Sequence, residues 1–154
     1  MKKLISLLLI ALLVVSLTAC GAKAPKAKNV DVNAVFDSVS QYLPEMFYPD
    51  ETTLLNFLGI RAENCKQYKV AVCAEGLRAD ELWVIEAKDE AALENLKKMA
   101  DSRIEAKLDE TESYVPDQFV IVQKAAIINN GLYLALIISP DVDTMKASIE
   151  AAFQ

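Results

Sequence analysis

Apolar residues recur along this chain in three rhythms, each of which predicts a different kind of element. Helical spacing runs through Val32, Val35, Phe36, Val39 and Leu43, behind Asp31 as N-cap and ahead of Pro44 as a stop. Met46-Phe47-Tyr48-Pro49 reads as a loop with an apolar tip, and residues 50–58 as a short helix closed by a left-handed Gly59. Leu93, Leu96, Ala100, Ile104 and Leu108 form one stripe of a longer helix capped by Asp89, with Glu94 and Lys98 as an i,i+4 pair on its charged face. Ser139-Pro140-Asp141 opens a last helix, with Pro140 near its first turn and a stripe of Val142, Met145, Ile149, Ala152 and Phe153. Alternation, the second rhythm, marks strands at residues 67–74, with Tyr68, Val70 and Val72 on one face, and at 82–87, with Trp83, Ile85 and Ala87 on one face. The third is the unbroken run Leu132 to Ile138, which predicts a strand covered on both faces. It follows a strand at residues 125–129 and an Asn130-Gly131 hairpin turn. Residues 117–123 fit a short helix or a strand equally well.

The stretches Leu82 to Asp89 and Leu134 to Asp141 resemble each other: an apolar strand, a capping Asp, then a helix. The order after residue 66 is therefore ββα-ββα. The expected fold class is α+β: one domain over residues 30–154, with a four-stranded antiparallel sheet, helices packed on it, and one or two preceding helices as a second cover.

Ahead of this domain, Lys2 and Lys3 precede an apolar run from Leu4 to Val15, shorter than the ~20 residues of a membrane span. The run leads to Leu17-Thr18-Ala19-Cys20, which resembles the bacterial lipobox. That resemblance implies a signal peptide over residues 1–19, cut between Ala19 and Cys20, and a diacylglyceryl group on the Cys20 sulfur. A plain signal peptide with an incidental cysteine, or an uncleaved N-terminal anchor, is the blander alternative. Two acyl chains, at ~0.8 kcal/mol per buried CH₂, hold a protein to a membrane where one does not. Residues 20–29 then read as the lipidated cysteine and a flexible tether of small residues with Lys23, Lys26 and Lys28. Fully extended, it reaches roughly 30 Å. Its lysines could rest on anionic headgroups or simply face water.

Charge narrows the partners. Lys2 and Lys3 leave with the signal, so 14 basic side chains remain against 22 acidic ones, a net charge of −8. No basic stripe offsets this, so nucleic acid is not an expected partner. The chain has no histidine, and with it go the commonest general base and the commonest transition-metal ligand. No P-loop, GxGxxG, CxxC, Gly-x-Ser-x-Gly or calcium-loop pattern occurs. Paired carboxylates are plentiful in any acidic domain, so Glu75, Asp80, Glu81 and Glu86 do not make a glycosidase, and the run Asp109, Glu110, Glu112 at a helix end reads as solvated. Cys65 and Cys73 read as unpaired thiols, with a disulfide left open. No catalytic residue, metal ligand or cofactor is expected.

Four short motifs carry a second resemblance, over about Gly59 to Phe153: Ala79-Asp80-Glu81, Tyr114-x-Pro116, Gly131-x-Tyr133 and Ile138-Ser139-Pro140-Asp141. They resemble a group of small lipoproteins of Firmicutes, chiefly Clostridia, known only as a domain of unknown function. The resemblance implies a Gram-positive cell surface and brings no catalytic residues. Tyr114 and Tyr133 are expected to pack their rings and keep their hydroxyls at the surface. A polar surface site built from Glu81, Tyr114 and Tyr133 is one functional reading of these motifs. The expected role is a non-enzymatic module, lipid-anchored at the outer leaflet, that binds an envelope protein or cell-wall component. The alternative is a lipoprotein that captures a small ligand.

Overall fold

The computed structural model of the chain describes residues 29–154. In order these form α1 (Val32–Val39), a 3₁₀ turn (Ser40–Tyr42), β1 (Met46–Phe47), α2 (Glu51–Leu58), a second 3₁₀ turn (Ala62–Asn64), β2 (Cys65–Cys73), β3 (Glu81–Ala87), α3 (Glu90–Glu112), α4 (Pro116–Val122), β4 (Ala126–Asn130), β5 (Tyr133–Ile138) and α5 (Val142–Phe153). The lipobox residues Leu17 to Cys20 lie outside the described residues. Among those described, no helix is long and apolar enough to cross a membrane.

Side-chain oxygens start three helices by taking up N–H groups that have no partner within the helix. Asp31 accepts from Asn33 and Ala34, Asp50 from Thr53, and Asp89 from Ala92. Gly59 ends α2 at φ 73°, a conformation that a Cβ would resist. Other local expectations shift. The first helix tightens to a 3₁₀ turn at Ser40, three residues short of Leu43. Asp141 makes no side-chain cap; instead the Ser139 hydroxyl accepts the Asp141 N–H at 3.1 Å, and Pro140 stays outside the helix. Lys97, one turn from Glu94, takes the ion pair expected of Lys98, at 2.8 Å. Residues 117–123 resolve into α4, with Pro116 in its first turn.

The sheet has five strands, not four, all antiparallel, in the order β1-β2-β3-β5-β4. The additional strand is β1, where a loop was expected. It is two residues long with Pro44 and Pro49 close on either side, too short to show alternation, and it forms because Met46 and Phe47 lie beside Cys73 and Val72. The β4–β5 hairpin closes on Asn130↔Tyr133, so its two loop residues are Gly131 and Leu132, not Asn130 and Gly131. Gly131 takes the positive φ of 56°, in the Gly-first pattern of a II′ turn.

Both faces of the sheet are covered. On one, α1 and α5 bury Val35, Phe36, Met145, Ile149 and Phe153 against Leu82, Val84, Ala135 and Ile137. On the other, α2, α3 and α4 bury Leu54, Leu93, Leu96 and Val122 against Val70, Trp83, Ile85, Leu134 and Leu136. Central strands β3 and β5 are buried along their whole length, which is why Leu132 to Ile138 reads as continuously apolar. The internal repeat does not become a symmetric pair of units. Aligning Leu82 with Leu134 matches Trp83 and Ile85 to Ala135 and Ile137, which point to the opposite face. The helices that follow, α3 and α5, accordingly leave to opposite faces.

Candidate interaction site

β3 begins with a carboxylate inside the core. Glu81 is fully buried, and a buried charge is tolerated only when it is paired and hydrogen-bonded. Arg103 of α3 supplies the pair: its Nε donates to Glu81 Oε2 at 2.9 Å and its terminal nitrogen to the same oxygen at 2.8 Å. Trp83 Nε1–H donates to Oε1 at 2.7 Å. The ring of Phe57, from α2, lies 4.9 Å from the guanidinium carbon, a cation–π contact. One carboxylate thus ties β3, α3 and α2 together at one end of the sheet.

The same end is closed by the β2–β3 loop. Arg78 pairs with Asp80 at 3.0 Å, and the Ala79 N–H donates to Gln118 Oε1 of α4 at 2.9 Å. The 23 residues of α3 span about 34 Å against about 23 Å for the seven of β3, so the helix overhangs the sheet here. Leu77 and Tyr114, 75% and 85% exposed, flank a cleft under the overhang.

Two open hollows flank the exposed ring of Phe57. One, about 420 Å³, lies between α2 and α3 and is lined by Phe57, Asn95, Lys98, Met99, Ser102 and Arg103. The other, about 400 Å³, is lined by Phe47, Thr53, Phe57, Val72 and Cys73. Phe57 is therefore a ridge between two largely apolar troughs, with Phe47 exposed beside it. Lys98 makes no ion pair among the described residues. No group of three or more Cys, Asp or Glu side chains converges as a metal site there.

Glu81, Tyr114 and Tyr133 do not come together. Glu81 is buried in its ion pair rather than at the surface. Tyr133 packs on the opposite face of the sheet, and its hydroxyl, expected at the surface, is buried and accepts the Val30 N–H at 3.1 Å. Tyr114 does not pack; it projects from the overhang. Of the other carboxylates, Asp80 and Glu86 are buried and paired, Glu86 with Lys66 at 3.1 Å, and Glu110 takes Lys107 at 3.0 Å, whereas Glu75, Asp109 and Glu112 are exposed. Sequence reading passed over Arg103 and Phe57. A faint signal existed, because Arg103 sits seven residues after Leu96 and three after Ala100, on the apolar side of its helix.

Cys65 and Cys73 are free among the described residues and stand at opposite ends of β2, about 26 Å apart along the strand. No disulfide can join them. Burial pushes the Cys65 thiol up to about 11. At pH 8 only about 0.1% of it is thiolate, against roughly 10% for a thiol at the ordinary value of 9.0. Alkylation of Cys65 in the folded protein at pH 8 is expected to run about 100-fold slower than in urea, read by peptide mass; equal rates would contradict its burial.

Three of the four motifs meet at the Glu81 end of the sheet. Glu81 pairs in register with Ile138, and α4, which starts at Pro116, holds the Ala79 backbone. Gly131-x-Tyr133 lies at the far end. A search of known families matches residues 37–139 to a domain of unknown function, DUF4358. The match opens inside α1 and stops at Ser139, before α5. No curated protein and no solved structure matches the chain. With about two thirds of its length so matched, the chain belongs to the family of the domain of unknown function DUF4358.

Proposed function

We propose that the chain is a non-enzymatic binding module of the cell envelope, tethered to the outer leaflet of the membrane through lipid on Cys20, and that the Phe57 ridge is its contact surface. The observation that carries the surface is an exposed aromatic ring between two apolar troughs, held from below by the Glu81–Arg103 pair. Interfaces draw their affinity from a few such rigid anchors. Both troughs are open, whereas a small-ligand site encloses most of its ligand; this favours an envelope protein or cell-wall component over small-ligand capture. Support for the anchor comes from Leu17-Thr18-Ala19-Cys20 and the apolar run before it, and the motif resemblance points to a Gram-positive surface.

Crosslinking in intact cells tests the surface. The unsubstituted chain is expected to capture a specific neighbour that Phe57→Asp loses. Phe57 is 59% exposed, so its replacement leaves both cores intact. Failure to capture any specific neighbour, or equal capture by both chains, counts against the ridge. The anchor has its own test. Cys20→Ser is expected to leave an unprocessed precursor, and the mass of membrane-extracted protein should show a diacylglyceryl group at Cys20. Mature lipid-free protein in the medium would overturn it.

A further inference from the structure

The two edges of the sheet are unequally protected. β1 offers two residues, with Pro44 and Pro49 close on either side. β4 offers five, Ala-Ile-Ile-Asn-Asn, with no proline, glycine or charge. Natural sheets blunt such edges, because a bare one is a template for another strand.

The hydrogen-bonding groups of β4 can be assigned. The Ala87 N–H donates to Leu132 O at 2.8 Å. Antiparallel ladders alternate, so Leu134, Leu136 and Ile138 also bond toward β3, while Tyr133, Ala135 and Ile137 bond toward β4. Their partners there are Asn130, Ile128 and Ala126. Ile127 and Asn129 therefore turn their N–H and C=O groups away from the sheet. The edge is also held rigid, since Asn129 Nδ2 donates to Gly131 O and Tyr133 O, and Asn130 Nδ2 to Phe153 O.

We propose that β4 pairs antiparallel with the β4 of a second copy of this chain, centred on Ile128, joining two sheets into one. Ile127 and Asn129 of one copy then exchange backbone hydrogen bonds with Asn129 and Ile127 of the other. Charge points to a copy rather than a foreign strand. Lys146 and Glu150 line the groove between β4 and α5, 3.8 Å apart and each about half exposed. A twofold axis through Ile128 sets the two α5 helices antiparallel, so that Lys146 of each meets Glu150 of the other. Such a contact closes on itself, and β1 is too short to extend it, so the assembly stops at two. This edge is remote from the Phe57 ridge, and the inference stands apart from that reading.

Light scattering on the full chain in detergent solution is expected to give twice the mass of one chain. Ile127→Pro removes an outward-facing donor, which an edge strand tolerates, together with a partly buried side chain on the Trp83 face. It should give the mass of a single chain with an unchanged circular dichroism spectrum. Lys146→Glu should weaken pairing by about tenfold or more through like charges, and the exchange Lys146→Glu with Glu150→Lys should restore it. The charge variants decide the question should Ile127→Pro unfold. A single-chain mass for the unsubstituted protein overturns the proposal, as does a dimer that survives Ile127→Pro or ignores the charge exchange.

Discussion

Arg103→Met is expected to destabilise the domain by about 3–5 kcal/mol, measured by urea unfolding. The substitution keeps most of the side chain's bulk and removes its charge. Glu81, with no exposed side-chain surface, is left as a buried carboxylate supported only by the Trp83 N–H. The reverse change should be milder. In Glu81→Gln the Arg103 guanidinium, with 13% of its side chain already exposed, can turn toward the solvent-facing trough beside Phe57. Removing both charges, as Glu81→Leu with Arg103→Met, should recover much of the loss, because two well-packed apolar groups can replace a buried pair at little net cost. A loss below about 1 kcal/mol for Arg103→Met would show that the pair behaves as an ordinary surface salt bridge.

A chain trimmed to the family match, residues 37–139, is expected not to fold cooperatively. The match omits Val32, Val35 and Phe36 of α1 and Val142, Met145, Ile149 and Phe153 of α5, each at most 4% exposed. At roughly 1.5–3 kcal/mol each, these seven side chains account for about 10–20 kcal/mol of burial, as much as the whole stability of a typical domain. Without them Leu82, Val84, Ala135 and Ile137 would face water on one side of the sheet. The expected signs are no sharp thermal transition and strong binding of a hydrophobic dye, whereas residues 29–154 should melt cooperatively. Cooperative melting of the trimmed chain would mean that α1 and α5 merely decorate the sheet.

The strands of the two hairpins were legible because alternation and an all-apolar run depend on neighbours within a few residues. The caps at Asp31 and Asp89 and the left-handed Gly59 were legible for the same reason. Strand β1 was not, since two residues carry no period and the strand exists only because β2 lies beside it. Nor was the buried pair, whose partners are 22 residues apart and belong to different elements. Glu81 was noticed within the motif Ala79-Asp80-Glu81, yet its grouping with Tyr114 and Tyr133 failed, because Tyr133 points to the other face and Tyr114 lies beyond the sheet's end. The lipobox residues and Cys20 lie outside the described residues, and the anchor rests on the sequence pattern.

By itself the sequence determined the order and type of nearly every element and the need for cover on both faces of the sheet, because these follow from local spacing and side-chain chemistry. Only the tertiary structure decided which helix covers which face, that Glu81 faces Arg103, that Phe57 stands between two troughs, and that the outer edge of β4 pairs with no strand among the described residues. Each of those depends on which residues distant in the chain become neighbours, and no periodicity along one strand or helix encodes that.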